Sequence, residues 1–327
     1  MVLVKGLSYF GKKSNSYLER LVQLFPMVNI NFIAEICMGS GTFSANCSYK
    51  DTERVAIEYD KGMCALNKCI QENVYELVDR LLEQEYSEKA FNDAIKILDE
   101  VDSGAEHKEI DVAVAAYISI VESFNSMRDT FRKIKNQESY DKFVDRLRRN
   151  IITDLIPLHR AWDGLEIING NLFDYPEFWL KGKNGLVFCD PPYPQEDRNI
   201  KFERKCAGYR QDWKMEMQVK FLNFVVDMNK NIKASHIIIC SIADLDENGQ
   251  LMNIQNKPYC KMLLSNGFRM VVVEKKHTSE IKNENSKSKK KRKKAEIVFL
   301  NYDVIRGNWR DFEYYDYEDI YGSEEKK

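Results

Sequence analysis

None of the eight cysteines forms a CxxC pair and the four histidines make no HExxH grouping, so the usual zinc and dithiol signatures are missing and no metal is expected. The cysteines, at 37, 47, 64, 69, 189, 206, 240 and 260, instead lie partly in apolar runs, where a thiol behaves as a small hydrophobe. That usage points to a reducing cytoplasm. No apolar stretch approaches the ~18 residues of a membrane span, and the first residues, MVLVKGLSYFGKKSNS, lack a sustained apolar core of the signal-peptide kind. The expectation is a soluble cytoplasmic protein with no membrane partner. There is also no GK[ST] pair, which removes the usual triphosphate cradle.

What is present fits a globular chain of 327 residues, either one large domain with an insertion or two domains. Hydrophobic residues at 44% can build a sizeable core, while 31% charged residues imply well-solvated helix faces. The net charge of -2 averages over uneven segments: residues 287–294, KSKKKRKK, are basic except at Ser288, whereas residues 311–325 carry seven acids and no base. No internal repeat of solenoid period is found.

Short apolar, β-branched runs at residues 30–36, 55–59, 165–168, 186–189 and 236–241 alternate with helical-looking stretches, the signature of an α/β fold with mainly parallel, buried strands. The run at 186–189 is apolar throughout, as in a strand covered on both faces. From 73 to 162 the spacing turns helical, with Leu77, Leu81, Phe91, Ala94, Ile95 and Leu98, then Val114, Tyr117, Ile118 and Val121, broken by a turn at 102–107. This predicts a helical insertion at 73–162 within a domain made of 1–72 and 163–327. Near the end, 268–276 and 295–302 read as two strands joined by a polar, highly charged hairpin loop.

In open α/β sheets ligands bind at the carboxyl ends of the strands, so the residues following each run are the informative ones. The first run leads into EICMGSGTF, where Gly39 and Gly41 allow close backbone approach, although GxG alone is equally a tight turn. The second ends in AIEYDK, placing Glu58 where an acid accepts hydrogen bonds from a ribose diol, or where it is simply a surface acid at a strand end. The fourth stops at Asp190-Pro191-Pro192-Tyr193. Two prolines cannot extend a sheet ladder, so they hold a donor-free backbone with carbonyls available beside the Asp190 carboxylate, and Tyr193 adds a flat face. The set suits a planar ring bearing an amino group. Alone, the two prolines would read as a strand-terminating turn with a surface tyrosine.

These residues resemble the DNA adenine-N6 methyltransferases of the Dam-like group, in which DPPY follows the fourth core strand. YFGKKS, with Tyr9 and Lys13, resembles the group's N-terminal cofactor motif, with Lys12 in place of its second glycine. EICMGSG resembles E-P-F-x-G-x-G, with Ile36 and Cys37 in place of proline and phenylalanine; EYD places Glu58 at the ribose acid; NGNLFDY places Asn171 in the segment lining the cofactor adenine. SFNSM resembles the helix end of the inserted domain, with Ser126 for a glycine, and KKAEIVFLNY resembles the closing strand. The N-x-P-x-G hairpin that reads GATC in some relatives is missing, which argues against a GATC target.

The resemblance implies a Rossmann-like methyltransferase fold with a mixed, mostly parallel sheet and an inserted helical domain that reads the target. It also implies S-adenosylmethionine as methyl donor, held by Tyr9, Lys13, Cys37, Gly39, Gly41, Glu58, Asn171 and Asp190. Catalysis would fall to Asp190, Pro191, Pro192 and Tyr193 acting on an adenine flipped out of double-stranded DNA. A monomer is expected, with a cognate restriction endonuclease as a possible partner. Polar residues near Asn125 and Arg128 are candidates for DNA contact, as is the basic loop, which reads equally as a solvated tail; residues 194–213 are expected to form a lid. Three other readings stay open: a cytosine-N4 methyltransferase, an enzyme acting on RNA or a protein amide, and a DNA-binding module that no longer transfers methyl groups. If the basic loop grips DNA, neutralising Lys289 to Lys294 lowers affinity and flattens its dependence on salt; an unchanged slope in filter binding removes the loop from the interface.

Overall fold

The computed structural model describes residues 3–7, 15–26, 28–47, 49, 51–123, 128, 130–177, 184–192, 213, 215–231, 235–277, 293–304 and 312–322. In chain order the elements are α1 (Asn15–Leu21), β1 (Phe32–Ile36), α2 (Thr42–Asn46), β2 (Glu53–Glu58), α3 (Lys61–Glu72), α4 (Val74–Leu82), α5 (Glu88–Asp102), α6 (Glu109–Val121) and α7 (Gln137–Ala161). They continue with β3 (Leu165–Asn169), β4 (Gly185–Cys189), α8 (Met215–Asn231), β5 (His236–Leu245), β6 (Leu251–Met252), α9 (Pro258–Ser265), β7 (Arg269–His277), β8 (Lys293–Leu300), β9 (Glu313–Tyr315) and α10 (Tyr317–Tyr321). This is an α/β architecture with a mixed sheet, compatible with the Rossmann-like expectation. No helix among the described residues is long and apolar enough to cross a membrane.

The chain divides into two compact units. The first takes in Met1–Lys13, Ala34–Tyr175 and Gln195–Trp213. Its strands follow the order β3-β2-β1, with β2 and β3 parallel in a register that pairs Arg54 with Leu165 and Glu58 with Asn169. Helices α4 to α7 lie between Val74 and Ala161, and the predicted turn falls between α5 and α6. These helices belong to the same compact unit as β2 and β3. Helix α6 is buried from Val112 to Ile120 without a break, because its residues are apolar or small on every side, and α3, α4 and α5 pack around it. Helix starts carry their own acceptors: Asp60 receives the Met63 N–H on α3 and Ser87 the Ala90 N–H on α5.

Trp162 is fully buried at the end of α7, and its indole N–H donates to the Gly41 carbonyl at 3.2 Å. The space where a Gly41 side chain would stand is filled: a Cβ there would lie 2.3 Å from Trp162 Cζ2 and 2.7 Å from Met38 Cε. The close approach that this glycine permits is therefore that of the protein's own indole.

The second unit comprises Ser14–Ile33, Pro176–Pro194 and Lys214–Lys327. Here β4 pairs parallel with β5, from Leu186 opposite His236 to Cys189 opposite Ile239. The remaining pairings, β5 with β8 and β6, and β7 with β8 and β9, are antiparallel. All five residues of β4 are buried, as its continuous apolar sequence requires. Asn301 closes this unit: its amide donates to Asn229 Oδ1 and the Ser235 carbonyl and accepts the Ile237 N–H at 2.7 Å, while the Tyr302 hydroxyl donates to the Leu24 carbonyl. The closing-strand residues thus have a structural task of their own.

Two expectations change. Lys293 and Lys294, the end of the basic run, belong to β8 and pair with His277 and Lys276, and the Lys293 ammonium donates to the Glu247 carbonyl; residues 287–292 lie outside those described. The strand read at 236–241 extends to Leu245, because β8 pairs with it from Ile238 to Leu245. For Gly41→Ala, a Cβ forced against the indole at a backbone φ of +59° is expected to lower stability by about 2–4 kcal/mol, read from the urea midpoint at unchanged slope.

Candidate active site

The candidate residues fall into two groups, one in each unit. In the first unit, β1 ends at Ile36 and the chain turns through Cys37 and Gly39, with φ of 63° and 49°. The Met38 N–H donates to the Ile57 carbonyl at 3.0 Å, tying this turn to β2. The Gly39 N–H donates to Glu58 Oε2 at 2.6 Å, and the Asp60 N–H to Glu58 Oε1 at 2.9 Å. The Glu58 main-chain carbonyl accepts from the Gly170 N–H and from the Asn169 amide, which brings in the end of β3. Asn171 follows directly and caps the short 3-10 turn Leu172–Asp174 by accepting the Phe173 N–H at 3.1 Å.

Glu58 is the electrostatic centre of this group. Burial, and then the neighbouring Asp60 charge, push its carboxyl up from 4.5 to about 7, against the two backbone N–H groups and the Arg128 charge that favour ionisation. Asp60 is buried too and forms an ion pair with Arg128 at 2.7 Å, while Arg128 Nε donates to Ser119 Oγ. Arg128, read from the sequence as a DNA-contacting candidate, is 5% exposed and carries a φ of 61°. Its guanidinium points into the protein because Asp60, 68 residues away, needs a counter-charge there.

Chemically the group offers one acid on which, among the described residues, two of about four carboxylate acceptor sites are taken. The next residue in the chain is one that sequence reasoning missed: Tyr59 is 53% exposed, a large ring held at the surface directly after a buried acid. The middle letter of EYD was the available signal. An acceptor for hydroxyls and an exposed aromatic ring on the following residue are the two elements that a nucleoside uses.

In the second unit, β4 ends at Cys189, and Asp190, Pro191 and Pro192 follow outside any strand. Pro191 is buried, whereas Asp190 and Pro192 are half-buried. The ladder to β5 stops with Cys189 opposite Ile239, where the first proline removes the donor needed to extend it. The junction therefore forms as its sequence dictates, with an acid at the carboxyl end of a buried parallel strand. Tyr9, Lys13 and Tyr193 lie outside the described residues, as do residues 194–212 of the expected lid and Asn125; Trp213 is half-buried. Among the described residues, no group of three His, Cys, Asp or Glu side chains is placed to hold a metal ion.

The raised Glu58 carboxyl has a measurable consequence. Between pH about 4.5 and 7 the folded protein keeps a proton that the unfolded chain has released, so Glu58 makes stability fall as pH rises across that window. Glu58→Gln is expected to flatten the pH–stability curve there by about one proton, roughly 1.4 kcal/mol per pH unit. It also loses one backbone hydrogen bond, costing about 1–3 kcal/mol at pH 5. Urea titrations at pH 5, 6 and 7 measure both; parallel curves for wild type and variant would show that the carboxyl titrates normally. The chain matches no family model, and no curated protein matches it.

Proposed function

We propose that this protein transfers a methyl group from S-adenosylmethionine to the exocyclic N6 amine of adenine in DNA. The observation that carries the reading is the β4 junction: a strand buried on both faces that stops at Asp190-Pro191-Pro192, leaving a carboxylate and donor-free carbonyls at its carboxyl end. The first unit supports it with a nucleoside-type arrangement: the Cys37–Gly39 turn, the Glu58 carboxylate and the exposed Tyr59 ring.

The residues present fit the proposed donor. Glu58 would accept the ribose hydroxyls, and Tyr59 would lie against the adenine. S-adenosylmethionine supplies a methyl on a sulfonium, so no metal is required. The N6 lone pair of adenine is delocalised into the ring, which makes it a poor nucleophile. Asp190 and the Pro191 carbonyl, by accepting its two hydrogens, would turn the nitrogen toward tetrahedral geometry and stabilise the positive charge that develops as the N–C bond forms. Asp190 does not take the proton first, because a neutral aniline-like N–H is far too weak an acid for a carboxylate. The proton leaves after transfer. The adenine must be unstacked to be reached, which costs a few kcal/mol and calls for phosphate contacts to offset it.

Tritiated-methyl transfer to unmethylated genomic DNA tests the reading. Label is expected in N6-methyladenine, and Asp190→Ala is expected to lower the rate at least about 10²-fold while leaving DNA affinity within about threefold. Near-normal turnover by that variant sinks the assignment. Label in N4-methylcytosine, RNA or protein redirects it, and DNA binding without transfer by the wild type points to a binding module.

A further inference from the structure

Helices α4 and α7 of the first unit pack together and run antiparallel. The His159 imidazole, near the end of α7, bonds to the Ile70 and Gln71 carbonyls ahead of α4, whereas the Tyr140 hydroxyl, near the start of α7, donates to the Tyr86 carbonyl beyond α4. Their exposed charges are segregated. From 72 to 83 these are Glu72, Glu76, Asp79 and Glu83, all acids, and the one base of that stretch, half-buried Arg80, is ion-paired with Asp111. From 146 to 160 they are Arg146, Arg148, Arg149 and Arg160, all bases, and the one acid, Asp154, is buried and ion-paired with Lys5. Among the described residues no ion pair joins the exposed acids to the exposed arginines.

An apolar seam lies between the two ridges. Tyr75 on α4 is 67% exposed and Ile152 on α7 is 50% exposed, two large side chains left open to solvent. Leu82, seven residues after Tyr75, and Ile156, four after Ile152, are half-buried along the same lines of their helices. The Tyr75 ring meets the His159 ring edge-on with centroids 6.2 Å apart, and His159 lies seven residues after Ile152, so the two apolar lines adjoin. Glu76, Asp79 and Glu83, spaced by three and four, share the outer line of α4, and Arg149 and Arg160, spaced by eleven, share the outer line of α7.

We propose that this face joins two copies of the chain in a symmetric dimer, in place of the monomer expected from the sequence. A two-fold axis along the seam, parallel to the helices, lays α4 of each copy over α7 of the other. Acids then meet arginines twice, and Tyr75 and Ile152 are covered at the centre. An axis across the helices would set acid on acid and is disfavoured by repulsion. A nucleic acid fits less well, because the arginines would attract its phosphates while the acids beside them repel. Two helices side by side, each about 10–12 Å wide and about 20 Å long here, offer roughly 400–500 Å² a side, below the ~800 Å² of stable complexes, so the dimer is weak and depends on concentration. The face shares no residue with the Glu58 or Asp190 groups and is independent of methyl transfer.

Sedimentation equilibrium of the full chain from about 5 to 500 µM tests the proposal, with a Kd of about 10–100 µM expected. Two charge variants make the test specific. Glu76→Lys/Asp79→Lys/Glu83→Lys leaves both ridges net basic, and Arg146→Glu/Arg149→Glu/Arg160→Glu leaves both net acidic. Each alone is expected to self-associate at least about thirtyfold more weakly, while their equimolar mixture pairs one-to-one with a Kd near that of the wild type. Tyr75→Ala, which removes the exposed ring, is expected to weaken association at least about tenfold and carries the test if a charge variant does not fold by near-UV circular dichroism. The proposal is overturned if the wild type is monomeric at about 500 µM, if a folded single variant associates as the wild type does, or if the two folded charge variants do not pair. A monomeric wild type whose arginine variant loses DNA affinity would give the arginines to a nucleic acid instead.

Discussion

The Glu58 carboxylate is the constraint on which the first unit depends. A single side chain accepts one backbone N–H from the turn after β1 and one from the start of α3, while its own carbonyl receives the end of β3. Three segments distant in sequence are therefore registered on one residue. The cost is electrostatic: two buried acids, Glu58 and Asp60, stand two positions apart, and the unit offsets this with the Arg128 guanidinium, itself buried and held at a positive φ. Such an arrangement stores unfavourable charge at a strand end, where perturbed acids tend to mark functional sites.

The second unit solves a different problem. Its strand β4 is buried on both faces and must end without leaving an unpaired donor, which the two prolines accomplish. Asn301 then saturates the Ser235–Ile237 segment that leads into β5, so the partner strand of β4 begins from a fixed point. A rigid strand start and an abrupt strand end are what hold a half-buried acid such as Asp190 in one place.

Much of this was legible in the sequence. Every apolar run read as a strand contains one, with ends that differ by one to four residues, because continuous Val, Ile, Leu and Phe admit little else in a short buried segment, and the helical spacing over 73–162 appears as α4 to α7. What escaped was decided by partners far along the chain. Strand β5 continues from Ile242 to Leu245 because β8 pairs with those residues, and β6 and β9, at two and three residues, exist only as edges of longer neighbours. Arg128 looked like a surface cation until Asp60 drew it inside. Gly41 looked like room for a ligand and is room for Trp162, 121 positions later.

Arg128 reaches Asp60 from the helical stretch, and both of their charges act on Glu58. The three form an electrical relay: withdrawing the guanidinium would leave two adjacent acids competing for one proton, and Glu58 would hold its own more tightly. The ionisation of a strand-end carboxylate, set first by its burial and by Asp60, is thus also tempered from a segment seventy residues away.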